Sequence, residues 1–183
     1  MNDLILQGKI LYWGTSEWSA DQLIEAYQVA ERFGLRGPTM EQPEYNLFNR
    51  ARVEEEYQPL YEQYGLGTTI WSPLCSGWLT GKYQQGIPKG SRFDLDGYEW
   101  LKQKYNSDVG KERLKKVDQL IKIADGIGTS VTKLAIAWCI KNPNVSTVIL
   151  GASNLTQLKE NLDGLSIVEE LNTDVMSKIE DVL

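Results

Sequence analysis

Four short stretches of this chain carry side chains that could hold a polar ligand: Gly14-Thr15-Ser16-Glu17-Trp18, Glu41-Gln42-Pro43-Glu44-Tyr45-Asn46, Trp71-Ser72-Pro73-Leu74 and Gly151-Ala152-Ser153-Asn154. Ser16 and Gln42 offer the neutral hydrogen bonds that suit a carboxamide, and Trp71 offers a flat face for a ring. The amides of Ser153 and Asn154 open a helix, where unpaired N–H groups favour phosphate. Lys82 and Arg92 could neutralise a pyrophosphate or an additional phosphate. Together these groups suit a dinucleotide. Each stretch taken alone also reads as turn chemistry, because Ser and Asn cap helices, Pro ends strands and Gly turns corners. Lys82 and Arg92 taken alone also read as solvated surface charge.

The elements that must position these groups are short β-branched or aromatic runs alternating with helical patterns, which predicts βα units and a parallel sheet. The first run is KILYW, ending at Trp13. Ser19 and Gln22 then form a capping-box pattern for a helix with Leu23, Ala26, Tyr27 and Ala30 on one face, closed by Gly34. The second run, PTMEQ, leads into a helical pattern through Val53, Tyr57, Leu60, Tyr61 and Tyr64. Pro59 predicts a bend or restart inside it, and Gly65 its end. The third run is GTTIW at 67–71 and the fourth VSTVIL at 145–150. Strand starts about 28 residues apart suit the repeat of a (β/α) barrel. Between the third and fourth runs lie a polar, Gly-rich excursion from Gly77 to about Gly110, a helix through Leu114, Val117, Ile121 and Ala124, and an apolar helix TKLAIAWCIK. A short amphipathic helix through Leu155, Leu158 and Leu162 follows, then a last helix begun by Asn172-Thr173. Ligand groups gather at the C-terminal ends of parallel strands, and the four polar stretches fall there.

Composition removes several classes. With 42% hydrophobic and 24% charged residues, the 183-residue chain is long enough and apolar enough to bury a core. A formal charge of -6 and the lack of a Lys/Arg run argue against nucleic acid and anionic membrane as partners. No histidine is present, which excludes Ser-His-Asp and Cys-His nucleophiles within the chain and disfavours zinc. Cys75 and Cys139 read as buried thiols. The N-terminus has no signal-peptide pattern and nothing approaches a membrane span, so a cytoplasmic location is the expectation. The G-x-G-x-x-G of a doubly wound dinucleotide fold is missing after the first strand. Four βα units supply roughly half of a (β/α)8 barrel, which needs about 250 residues.

The motifs YWGTSEWS, EQPEYN, TIWSPLCSGWLTGKY, IPKGSR, LAIAWC and VILGASNLTQLKEN, in this order, resemble the second half of the aldo-keto reductases. Within that family they are most similar to the cytosolic β subunits of voltage-gated potassium channels and their reductase relatives. The resemblance runs from about Gly8 to Leu183. It implies an α/β fold, the C-terminal half of a (β/α)8 TIM barrel with strands five to eight and their helices, so that residues 1–183 form a partial NADP-dependent oxidoreductase domain.

Residue by residue, the resemblance implies NADP(H) as cofactor. Trp71 would stack on the nicotinamide, with Ser72, Pro73, Leu74 and Ser76 along the pyrophosphate. Ser16 and Gln42 would hold the carboxamide. Lys82 and Arg92 would belong to an excursion folding over the cofactor, and Gly151, Ser153, Gln157, Glu160 and Asn161 would hold the adenosine 2′-phosphate end. At the position after Ser16, animal channel subunits tend to carry Arg where this chain has Glu17. The family's catalytic Asp, its proton-donating Tyr and the Lys partner match no position here, so no catalytic residue is assigned. Without that acid, hydride transfer loses about 10²- to 10⁴-fold. The resemblance further implies a small carbonyl substrate for the full-length relative, a potassium channel α subunit as partner, and a homo-oligomer, a tetramer in the family. A non-catalytic, nicotinamide-sensing subunit is the alternative reading. Met1 stands where the family has an internal helix, so a fragment of a longer protein is the expectation.

Overall fold

Four parallel strands pair in sequence order: β1 (Gly14–Ser16), β2 (Met40–Gln42), β3 (Gly67–Ile70) and β4 (Val145–Val148). The computed structural model describes residues 1–183. They form two units, Met1–Pro73 with Asn142–Leu150, and Leu74–Lys141 with Gly151–Leu183. The whole sheet belongs to the first unit. This is an α/β fold with a four-stranded parallel sheet, consistent with part of a (β/α)8 barrel.

In the first unit, a short helix α1 (Asn2–Leu6) precedes β1. Helix α2 (Ala20–Phe33) begins on the expected capping box, with Ser19 accepting from the Gln22 amide and the Gln22 side chain accepting from the Ser19 amide. It ends at Gly34, whose φ of 61° is the left-handed geometry that glycine adopts without steric penalty. The helical pattern after β2 is interrupted as Pro59 requires. A π-helical turn at Arg52–Glu56 gives way to α3 (Gln58–Tyr64), which restarts with the proline in its first turn, where its missing N–H costs no hydrogen bond. Leu23, Tyr57, Leu60 and Leu66 form the buried cluster between these helices, and the Tyr27 and Tyr64 rings stack beside it at 4.2 Å. β1 and β2 approach closely at Gly14, where an added Cβ would sit 2.5 Å from the Met40 carbonyl oxygen.

One strand differs from expectation. KILYW is not a strand: pairing begins at Gly14, and Leu11 and Tyr12 are 78% and 74% exposed. A short apolar run does not by itself distinguish a buried strand from an exposed segment. Trp13 still joins the edge of the sheet through its carbonyl, which accepts from the Thr39 amide at 2.9 Å.

In the second unit the excursion after β3 is ordered by an aromatic cluster. Trp78 and Phe93 meet edge to face at 5.2 Å, Phe93 stacks on Tyr83 at 3.9 Å, and Tyr105 lies against all three rings. The segment carries 3-10 turns at Cys75–Thr80 and Arg92–Asp94 and a helix, α4 (Glu99–Asn106). Helix α5 (Asp108–Gly126) packs on α4 and on α6 (Val131–Lys141). The apolar-all-round pattern of α6 gives eight buried side chains, Val131 to Cys139. Cys75 and Cys139 are free and buried. Helix α7 (Leu155–Asp163) has the expected amphipathic pattern but leaves its leucines exposed, Leu155 at 64% and Leu162 at 50%. The last helix, α8 (Thr173–Glu180), starts on Asn172, whose side chain accepts from the Val175 amide. No single helix is long and apolar enough to cross a membrane.

Candidate functional site

Two groups of candidate residues are held, one in each unit. In the first unit, Ser16, Gln42, Trp71, Ser72 and Pro73 stand at or just beyond the C-terminal ends of β1, β2 and β3. Ser16 Oγ donates to the Gln42 carbonyl at 3.0 Å, which joins the two strand ends. The Gln42 side-chain amide makes no hydrogen bond within the protein. Pairing between β2 and β3 continues past their ends: Trp71 N donates to the Pro43 carbonyl and Tyr45 N to the Trp71 carbonyl. This backbone contact fixes the position of Trp71, and the residue remains 36% exposed.

Three residues of the same stretches that were given no supporting role from sequence, Glu17, Glu41 and Asn46, hold this group in place. Glu17 has a φ of 61°, rare for a non-glycine residue. Its Oε1 accepts from the Trp71 indole Nε1 at 2.9 Å and from the Glu44 amide at 2.6 Å, and its Oε2 pairs with Arg52. Glu41, fully buried on β2, accepts from the Thr15 hydroxyl through Oε2 and from the Trp18 amide through Oε1 at 3.1 Å. Asn46, also fully buried, donates to the Ser72 carbonyl at 3.0 Å and accepts from the Phe48 and Asn49 amides. Ser72 thus sits at a φ of 57° with its carbonyl secured. Backbone held in sparsely populated geometry is common at ligand sites. The partners of Glu17 and Glu41 lie 23 to 54 residues away in sequence, so no local pattern announced them.

Burial raises the Glu41 pKa, and the hydrogen bonds from Thr15, Trp18 and the Glu17 backbone offset part of that rise. A carboxyl whose folded pKa exceeds its unfolded value favours folding while protonated, and this advantage is lost as pH rises from the unfolded value through the folded one. Glu41→Gln removes the titration. The stability of this variant relative to wild type is therefore expected to increase as pH rises from 4 to 8, in paired urea unfolding curves. A pH-independent difference would refute the assignment.

In the second unit, Leu74, Ser76, Lys82 and Arg92 follow β3. Cys75 and Ser76 both have positive φ, 49° and 57°, ahead of Gly77 at 99°. Burial and the nearby Arg92 charge lower the Lys82 pKa. Lys82 lies over the Tyr83 ring at 5.1 Å and Arg92 over the Tyr98 ring at 5.2 Å, and neither cation pairs with a carboxylate. Two adjacent cations with no carboxylate to offset them suit an anion. Gly151, Ser153, Gln157, Glu160 and Asn161 gather around the start of α7. Gln157 Oε1 accepts from Ser153 N at 2.9 Å and Ser153 Oγ at 2.8 Å, and Asn161 donates to the Gly151 carbonyl at 3.1 Å. Glu160 accepts from Ser130 Oγ at 2.9 Å. These side chains shape the Gly151–Asn154 turn through contacts within the chain, and Asn154 caps the helix by accepting from the Gln157 amide. Gly151 has open space where a Cβ would stand.

The pattern of the Aldo/keto reductase family matches residues 1–183. The chain belongs to that family. Its similarity to curated relatives extends over its full length. It is 52% identical over 184 residues to a protein of Oryza sativa subsp. japonica named "Probable voltage-gated potassium channel subunit beta". A protein of Arabidopsis thaliana with the same name is 50% identical over 184 residues. All of this chain is covered in both cases, and 55% of each relative, so the chain spans about half their length. In the first unit, an exposed indole and the unpartnered side-chain amide of Gln42 are groups of the kind that suit a nicotinamide. In the second unit, the unpaired Lys82 and Arg92 suit a phosphate.

Proposed function

We propose that these residues are the cofactor-binding part of an NADPH-dependent reductase of aldehydes or ketones, corresponding to strands five to eight of the (β/α)8 barrel. The observation that carries this reading is Trp71, an indole kept partly exposed at a strand end beside Ser16 and Gln42. The nicotinamide supplies hydride when bound. Trp71 offers it a stacking face, and Ser16 and Gln42 hydrogen-bond its carboxamide. Ser72, Pro73, Leu74 and Ser76 line the pyrophosphate, Lys82 and Arg92 neutralise it, and the Gly151–Asn161 segment receives the 2′-phosphate end. A 2′-phosphate, which NADH lacks, would meet the N-terminal end of α7, where the helix favours negative charge. The acid that protonates the carbonyl oxygen is not among these residues, and turnover by them alone is about 10²- to 10⁴-fold below that of a full-length relative.

A second reading is favoured by the names of the two relatives: a channel-associated subunit that binds the nucleotide as a cytoplasmic sensor with little turnover. The two readings share the binding site and differ in carbonyl reduction by the full-length protein.

Titration of the 183-residue chain with NADPH and NADH, followed by tryptophan fluorescence, tests the shared part. Saturable quenching, stronger for NADPH, is expected. Trp71→Ala should weaken NADPH binding roughly tenfold, the scale of losing one aromatic stacking partner. Equal affinity of wild type and variant would overturn the role given to Trp71.

A further inference from the structure

We propose that Glu17 is the positioning residue that sets the edge of the Trp71 indole, and that this contact tunes nucleotide affinity. The inference rests on the reading of Trp71 as the nicotinamide platform. An exposed tryptophan at the end of a strand has several staggered rotamers open to it. A charged acceptor on its one N–H donor selects among them, because a hydrogen bond to an ionised group is short and directional. Here the acceptor is Glu17 Oε1 at 2.9 Å.

Glu17 is itself immobilised from three sides. Its Oε1 also accepts from the Glu44 amide, its Oε2 pairs with Arg52, and Arg52 lies 3.5 Å from Glu56, whose Oε1 accepts from Ala20 N at 2.8 Å. The carboxylate therefore ties the ends of β1, β2 and β3 to the π-helical turn. Its surroundings are half exposed, with side-chain exposures of 42% for Glu17 and 36% for Arg52, so the ion pair adds little to stability. Its backbone geometry points the same way. At a φ of 61° a glycine would be more comfortable, and the glutamate side chain is what the position gains in exchange for strain.

The test uses 15N-labelled chain, with the Trp71 indole resonance assigned by its loss in Trp71→Ala. Glu17→Gln keeps an oxygen acceptor for the indole and the Glu44 amide. Glu17→Gly removes the acceptor while relaxing the backbone, so it should fold. Glu17→Gly is expected to shift the indole resonance, speed its exchange with water and weaken NADPH binding roughly fivefold to tenfold. Glu17→Gln is expected to keep the indole resonance near its wild-type position and the affinity within about twofold of wild type. An unmoved indole resonance in Glu17→Gly overturns the proposal. So does a moved resonance with unchanged affinity when Trp71→Ala does weaken binding. If Trp71→Ala leaves affinity unchanged, the platform reading fails, and with it the claimed effect on affinity, while the indole shift still decides the Glu17 contact.

Discussion

Trp78→Ala is expected to destabilise the second unit by about 3–5 kcal/mol, the range for truncating a large buried aromatic residue. Trp78 is 1% exposed and is the ring on which the segment after β3 is organised. It touches Tyr83, Phe93 and Tyr105, and the Arg113 guanidinium lies 5.8 Å from its centroid. Each aromatic pair adds to the area term, and the structure around a truncated core residue relaxes only partially into the cavity left behind. Lys82 and Arg92 flank two members of the cluster, Tyr83 and Phe93, so the loss is also expected to free both cations. Denaturant unfolding measures the first effect. Amide exchange over residues 77–110 measures the second, and protection there at wild-type levels would show that the cluster does not hold the segment.

Gly110→Ala should cost about 3 kcal/mol, at the upper end of what overpacking produces. Gly110 lies in the first turn of α5, where the chain has just left α4. An added Cβ would sit 2.2 Å from the Lys104 carbonyl oxygen and 2.4 Å from that of Tyr105. Both are backbone atoms, so neither can swing aside as a flexible side chain would. The control lies in the same helix. A Cβ added at Gly126 would meet nothing within 4 Å, and Gly126→Ala is expected to stabilise by up to about 1 kcal/mol through helix propensity. Opposite signs for one substitution at two ends of one helix, read from midpoints in urea, would confirm that close backbone approach decides the first. Equal effects would refute it.

Local chemistry was legible in the sequence itself. Ser19 with Gln22, Gly34, Pro59, Gly65 and Asn172 each act through hydrogen bonds or torsions within a few residues of themselves, and each does in the fold what its type implies. The burial of α6 was legible for a related reason, since a helix apolar on every side has no face suited to water. KILYW misled because apolar content does not report pairing partners, and the sheet begins only at Gly14. The excursion from Gly77 looked loop-like because its glycines and charges mask aromatic residues spaced too irregularly for a helix or strand period. Their cluster exists only in three dimensions. The same holds in the candidate site. Trp71, Ser16 and Gln42 were visible as unusual residues at strand ends; Glu17, Glu41 and Asn46 stood in the same stretches, but what they do depends on partners distant in sequence.

The strand order also carries a clock. β1, β2 and β3 can pair as soon as each is made, but β4 pairs with β3 only after roughly 75 further residues have been added. At ordinary synthesis rates of about 5–20 residues per second, the outer edge of β3 waits on the order of 4–15 s on the ribosome. During that interval Ile70, fully buried in the finished sheet, lacks its partner strand. The Thr68 hydroxyl likewise waits for the Asn144 carbonyl that it will donate to at 2.7 Å. Nascent chains are therefore most open to mispairing and to chaperone capture while the helices between β3 and β4 are being translated.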